Sequence, residues 1–377
     1  MATEQNAGVQ MPNTIKSVEA IAIGLPFQQH DGPPAGFFGT VWETLNYCLV
    51  RVETSDGIIG WGDAFSYNAL PATKAAVDEI VGPLAIGLSA DDVTGTMDRL
   101  GKVLHLLGRS GPVQYALSGL DIALWDIAGK RAGLPVSQLL GGVGRASIPA
   151  YASLFRIADN AILRRVCSGL AEEGFKAIKL HEIDPTATLW AREGAGQDVD
   201  IMMDVNCPWD LIEAQEAAAI MLPSNLKWLE EPIWPPENFG ALTTLRLSGI
   251  PLAAGENIAN AEDMQRLAET PGLDYAQPSV TKIGGITAFH RAGIAAQLAG
   301  KRIAPHSPYF GPGLLATLHM AAVFPAMEYL EVFGATLTVP LFDGYGMPES
   351  DTSYRIPTGP GLGADPIPEV VQKYRLD

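Results

Sequence analysis

Three carboxylates recur at the ends of three similar short segments. Asp204 lies in IMMDVN (201–206), Glu230 in LKWLEEP (226–232) and Glu256 in PLAAGEN (251–257), 26 residues apart each time. Each apolar lead-in has the length of a buried strand, and this period holds one strand, a crossover helix and two loops. Parallel strands joined by helical crossovers end on the same side, so all three acids are expected at one rim. Carboxylates gathered so closely repel and desolvate one another unless a hard cation lies between them, and an all-oxygen ligand set suits Mg²⁺. As helix caps or surface acids they would have no reason to share a period and an apolar approach.

Groups able to move a proton flank these segments. In FKAIKLH (175–181), Lys179 and His181 are two apart and share one strand face. Histidine titrates near neutrality and can serve as a general base, and a lysine beside it would lower the base's pKa and help hold a substrate carboxylate. RIAPHSPYFG (302–311) places His306 at the end of a later apolar run. Asn206, two beyond Asp204, offers an amide to a substrate oxygen or a metal-bound water, whereas Glu231 points away from Glu230 and is read as supporting the site. Glu328 and Glu331 have opposite parity, so only one of them faces inward. His105, His290 and His319 lie in helical patterns and are read as structural.

The elements that must position these groups alternate. Strands are expected near 148–153, 175–180, 200–205, 226–231, 251–256, 273–277, 302–306 and 328–332, with helices between most of them, which is the period of a (β/α)₈ barrel. A doubly wound open sheet would place its site at one reversal of strand order, not around a ring. Before the barrel, LNYCLVRVETSDGIIGWGDAF (45–65) reads as a hairpin about Ser-Asp-Gly. Helical patterning follows, ending in SGLDIALWDIAGKRAG (118–133), whose Leu120, Ala123, Leu124, Ile127 and Ala128 form one stripe before Gly133 and Pro135 stop it. The expected fold class is thus α/β, a modified (β/α)₈ barrel with an N-terminal α+β capping domain. The division expected is a tail over 1–13, a cap over 14–146, a barrel over 147–335, and a segment over 336–377 that packs on both. The stretch PFQQHDGPPAGFFGTVW (26–42) reads as a loop without regular period, in which His30, Phe27, Phe37, Phe38 and Trp42 could cover a ligand. Trp209 and Trp234, just beyond two ligand-bearing strands, line the pocket or pack cap against barrel.

Composition narrows the partners. The 377-residue chain carries a formal net charge of −17, which argues against nucleic acid and anionic membranes. An anionic small molecule remains compatible, because a metal and a few lysines make a local positive site. Three scattered cysteines without CxxC spacing point to a reducing compartment, and the polar stretch 1–13 lacks a signal-peptide core, so a cytoplasmic location is expected.

Taken in order, SGLDIALWDIAGKRAGLPVSQLLGG (118–142), DVN, EEP, GEN and KIGG (282–285) resemble the mandelate racemase-like branch of the enolase superfamily over nearly the whole chain. The resemblance implies one Mg²⁺ per subunit, held by Asp204, Glu230 and Glu256, and removal of a proton α to a carboxylate through an enediolate. Relatives mostly carry Lys-x-Lys where this chain has Lys179-Leu180-His181, which puts His181 at the base position and Lys179 at the supporting one. His306 matches the histidine on the opposite face. Its orienting aspartate is replaced by Ser279, which cannot stabilise an imidazolium with a full charge, so His306 is expected to donate a proton or polarise a hydroxyl group rather than act as a strong base. Lys282 resembles a supporting lysine, and Glu331 the donor toward the developing enediolate oxygen. The resemblance also implies a homo-oligomer, dimer or octamer. The expected reaction is dehydration of an aldonic or aldaric acid to a 2-keto-3-deoxy acid. Racemisation or epimerisation of an α-hydroxy acid is the alternative, and a non-catalytic metal-binding barrel a third. A lactonising enzyme would be expected to carry a lysine at position 279.

Overall fold

A computed structural model describes residues 13–29, 36–37, 40–142 and 144–376. The N-terminal sheet is antiparallel: β1 (Ile15–Gln29) pairs with β2 (Thr44–Thr54), and β2 with β3 (Ile59–Ala64). β1 runs into the stretch 26–42 read as loop. Phe27–Gln29 pair there with a strand near the C-terminus, Ala335–Leu337, so long-range pairing supplies order that the local Gly/Pro-rich composition conceals.

Helix α1 (Pro112–Ala132) lies on this sheet, with Pro at its first position and Gly133 in the left-handed conformation at its end. The approach is close enough that a Cβ at Gly62 would lie 1.8 Å from the Gly119 carbonyl oxygen, and one at Gly60 2.2 Å from that of Ala123. The single apolar stripe read from the sequence is too narrow a description. Ser118, Asp121, Ile122 and Asp126 are buried as well, because a barrel helix (Gly285–Leu298) covers the other side. Asp121 Oδ1 accepts the Thr287 N–H at 3.0 Å, and Asp126 accepts those of Trp61 (2.9 Å) and Leu362 (2.8 Å). Two buried aspartates therefore tie α1 to the barrel and to the C-terminal segment.

The barrel strands are β4 (Ser147–Ser153), β5 (Ala177–Leu180), β6 (Asp200–Asp204), β7 (Trp228–Glu230), β8 (Leu252–Ala254), β9 (Tyr275–Ala276), β10 (Arg302–Ile303) and β11 (Leu330–Phe333). Neighbours pair in parallel from β4 to β10, and β11 pairs with β4. The ring closes through a parallel bridge from Ile303 to Met327. Several strands are shorter than their apolar runs suggest, because the runs continue into the rim loops that carry the polar groups. Tyr151, Ala177, Met202, Trp228, Ala253, Tyr275 and Ala304 form a packed layer inside the ring. Among the described residues, no helix is long and apolar enough to cross a membrane.

Candidate active site

Asp204 and Glu230 end β6 and β7, and Glu256 follows β8 by two residues. All three are buried, and each offers an oxygen within 4.8 Å of the others. Asp204 Oδ1 accepts the backbone and side-chain N–H groups of Asn206 at 2.9 and 3.0 Å. Its Oδ2 is buried without an aligned hydrogen-bond donor, although His181 Nε2 lies 3.2 Å away. Glu230 receives Lys179 Nζ at 2.9 Å and Trp228 Nε1 at 2.8 Å. Glu256 receives Asn257 Nδ2 at 3.1 Å and faces His306 Nε2 at 3.1 Å. An orphaned buried carboxylate oxygen and a purely oxygen donor set fit a hard divalent cation.

The electrostatics vary along the triad. Burial pushes Glu230 well above the ordinary carboxylate range, and Lys179 only partly offsets it. Burial also acts on Asp204, but His181 and Lys179 outweigh it and hold that carboxyl low. Glu256 likewise lies below its ordinary value, because Lys282 and His306 overcome its desolvation. Lys179 is fully buried among Glu230, Glu331 (2.8 Å) and Asp204 (3.7 Å), and those acids raise its pKa despite burial.

Strand order brings the two histidines to opposite flanks. His181 follows β5, beside β6, and His306 follows β10, beyond β8. His181 Nδ1 lies 2.6 Å from the Leu154 carbonyl oxygen, which can only accept, so Nδ1 carries a hydrogen and Nε2 is the working atom. His306 is held differently. Its Nδ1 sits 3.3 Å from Ser279 Oγ and 3.2 Å from the Tyr309 hydroxyl, and these two hydroxyls bond each other closely. Burial lowers the His306 pKa to about 4. The ring is therefore neutral, and Nε2 must carry its hydrogen to meet the Glu256 carboxylate.

Glu331, not Glu328, faces the site. Its Oε1 accepts from Ser153 Oγ at 2.8 Å and its Oε2 from the Ser307 N–H at 2.9 Å. Burial opposes its ionisation, but Lys179 and His306 bring its pKa to about 2. Glu328 pairs with Lys227 and Arg302 at the N-terminal ends of β7 and β10. Glu231, with φ 46°, turns off the strand: Oε2 accepts from Cys207 Sγ at 2.9 Å and Oε1 from the Gly255 N–H at 2.9 Å. Burial brings its pKa to about 7. Lys282 Nζ lies 3.8 Å from Glu256, 3.4 Å from Asn257 Oδ1 and over the Phe65 ring.

Some expectations need correction. Asn206, expected to offer its amide to a substrate oxygen or water, uses one amide hydrogen on Asp204 and is exposed, with φ of 53°. Trp234 is 68% exposed, whereas Trp209 is buried in the core. Trp42 joins Tyr67 and Phe155 at centroid distances of 5.2 and 6.2 Å, and its Nε1 bonds Asn68. His30 and Phe38 lie outside the described residues. Tyr309, Ser153, Trp228 and Gln277, none of them expected here, also bind or adjoin the site carboxylates or His306. Trp228 shares strand parity with Glu230, a signal that was available; Tyr309 lies in a loop, where parity says nothing.

A closed parallel barrel under an antiparallel cap, with three carboxylates on successive strand ends and a lysine and histidine beside them, is the arrangement of the enolase superfamily. The chain belongs to its mandelate racemase / muconate lactonizing enzyme family. Residues 27–141 match that family's N-terminal domain, and residues 162–370 match the enolase C-terminal domain-like family. It is 34% identical over 75% of its length to a D-galactonate dehydratase family member of Catenulispora acidiphila, covering 74% of that protein. It is 30% identical to the 3,6-anhydro-alpha-L-galactonate cycloisomerase of Streptomyces coelicolor, covering 83% of this chain and 87% of that one. The crystal structure of a mandelate racemase/muconate lactonizing protein from Paracoccus denitrificans, complexed with magnesium, superposes with a TM-score of 0.82 at 25% identity, over 96% of this chain and 98% of that one.

Proposed function

We propose that the protein is a Mg²⁺-dependent dehydratase of acid sugars, which removes the proton α to the carboxylate through an enediolate and expels the β-hydroxyl as water. Asp204, Glu230 and Glu256 are the metal ligands in this reading. The α-proton of a carboxylate anion is very weakly acidic, and a divalent cation there supplies the charge that makes its removal feasible. Lys179 neutralises Glu230 and Glu331 and adds positive charge beneath the substrate carboxylate. His181 Nε2 takes the α-proton, its ring aimed by the Leu154 carbonyl, and Asp204 stabilises the cation it becomes. His306, in its protonated form, gives its Nε2 hydrogen to the β-oxygen as the carbon–oxygen bond breaks; water leaves, and the ring is left neutral, to be reprotonated from solvent. Glu331 borders the site between them, held by Ser153 and Ser307.

The observation that carries this reading is the unequal support of the two histidines. A two-base racemase needs each base to work in both directions, and His306 rests on neutral hydroxyls, with a pKa near 4. Such a group is a poor base, and its protonated form is a strong acid. One relative is named as a D-galactonate dehydratase family member and the other as a cycloisomerase of 3,6-anhydro-alpha-L-galactonate, which supports an acid-sugar substrate. The test is a screen of mono- and diacid sugars with Mg²⁺. A 2-keto-3-deoxy product supports dehydration; α-hydrogen exchange without loss of water would replace it with epimerisation, and neither signal across a broad panel would remove both.

A further inference from the structure

We propose that the substrate carries a single carboxylate and that its far end, uncharged, lies against a wall of aromatic rings. The inference rests on the α-proton reading above and narrows it to aldonic acids and their anhydro or deoxy forms, excluding aldaric diacids.

The wall is built by both domains. Phe155, just beyond β4, stacks on Phe333 at the end of β11 with centroids 5.0 Å apart and planes 12° apart. From the cap, Trp42 meets Phe155 edge-on at 6.2 Å and Tyr67 at 5.2 Å, and Tyr67 lies 6.3 Å from Phe333. Phe65 continues the series from Tyr67 (4.8 Å) to His306 (6.5 Å). The rings thus run from the residue after Leu154, which holds His181, to the opposite histidine. Trp42, Phe65, Tyr67 and Phe155 remain partly exposed although they pack on the core. Their polar ends are already used: Trp42 Nε1 donates to Asn68, and the Tyr67 hydroxyl donates to the Pro308 carbonyl at 3.3 Å. What they present is ring surface.

A second carboxylate would find no cation there. Lys179 is fully buried among three acids, and Lys282 is held by Glu256, Asn257 and the Phe65 ring. Arg156 is exposed, and its Nε is committed to the His181 carbonyl. The segments outside the described residues contain no lysine or arginine. The chain's net charge of −17 adds no attraction for a second anion. The faces of aromatic rings are themselves electron-rich. An anion at the wall would lose hydration without gaining a partner, whereas the C–H face of a sugar or anhydro ring would lose nothing.

The test pairs acids of one configuration, galactonate with galactarate and gluconate with glucarate. Binding to the Mg²⁺-loaded protein is measured by calorimetry, and α-proton exchange in D₂O by NMR. The monoacid is expected to bind roughly 100-fold more tightly than its diacid partner. Arg156→Ala should leave that ratio unchanged, while Trp42→Arg, checked for folding by circular dichroism, should narrow it at least about tenfold by supplying the missing charge. Equal or tighter binding of the diacids, a diacid preference abolished by Arg156→Ala, an unchanged ratio in folded Trp42→Arg, or binding of no panel member each overturns the inference. Exchange on the diacids would leave the α-proton reading standing and remove this one. Monoacid binding without exchange on any acid would do the reverse.

Discussion

The two ends of the barrel carry ionic clusters of opposite character. At the N-terminal end, Lys227 pairs with Asp200 (3.0 Å) and Glu328 (2.8 Å), and Arg302 pairs with Glu328 (3.0 Å). Two cations there answer two anions, and all four side chains keep contact with water. At the C-terminal end, Asp204, Glu230, Glu231, Glu256 and Glu331 are buried around Lys179 and Lys282. Acids outnumber bases, and desolvation is severe. The first cluster is an ordinary surface network, close to neutral in its effect on stability. The second would be costly by itself. A fold keeps such an imbalance where another positive charge is meant to enter.

The contrast can be broken from its strong end downward. Chelation of divalent metal should reduce turnover by at least about 10⁴-fold, with recovery on adding Mg²⁺. Mg²⁺ should also raise the thermal midpoint, read by calorimetry, because the cation binds only the folded rim. His181→Ala should lower kcat by roughly 10³-fold while circular dichroism stays unchanged. Lys179→Met should destabilise the protein by roughly 3–5 kcal/mol in denaturant titrations, since it leaves buried carboxylates uncompensated. At the other end of the barrel, Glu328→Gln should cost less than about 1 kcal/mol and leave turnover as it is.

Acid titration sharpens the same contrast. His306 has a folded pKa of about 4, below the ordinary value of about 6.5. The unfolded chain binds more protons between those limits, so the stability this group contributes is whole above about pH 6.5 and is lost as pH falls through 4. Glu331, depressed to about 2, contributes above the usual carboxylate range and loses its contribution as pH falls through 2. Metal-free protein should therefore lose stability in two stages on acidification, and His306→Gln should flatten the upper stage in denaturant titrations. Ser279→Asp should move the His306 titration, followed by NMR, back toward neutrality.

Much of the rim was legible because strands impose a simple geometry. A period of 26 residues with apolar lead-ins places Asp204, Glu230 and Glu256 together on one rim, and alternation pairs Lys179 with His181. Where the chain leaves the strands, that rule lapses. Asn206 and Glu231 have positive φ, so strand parity no longer fixes where their side chains go, although Glu231 does turn away from Glu230 as expected. Tyr309 reaches His306 from a loop three residues on, and no periodicity marks it. The stretch beginning at Pro26 looked like loop because its partner strand, Ala335–Leu337, lies some 300 residues away in the chain.

The order of strands, the carboxylates at their ends and the resemblance that names the family are properties of the sequence alone, since they follow from local periodicity and motif order. Between Glu328 and Glu331, parity narrowed the choice and the family resemblance pointed to Glu331. The choice was made by the direction of β11 and by Ser153, Ser307 and Lys179 converging on Glu331 from other strands. Ser279 signalled the unequal footing of the two histidines, and the tertiary structure added the Tyr309 hydroxyl. A hydroxyl pair takes a carboxylate's place beside His306, and aromatic rings from both domains close the far side of the site. A proton's affinity for a ring nitrogen depends on everything within a few ångströms, and those neighbours come from segments that the chain order keeps apart.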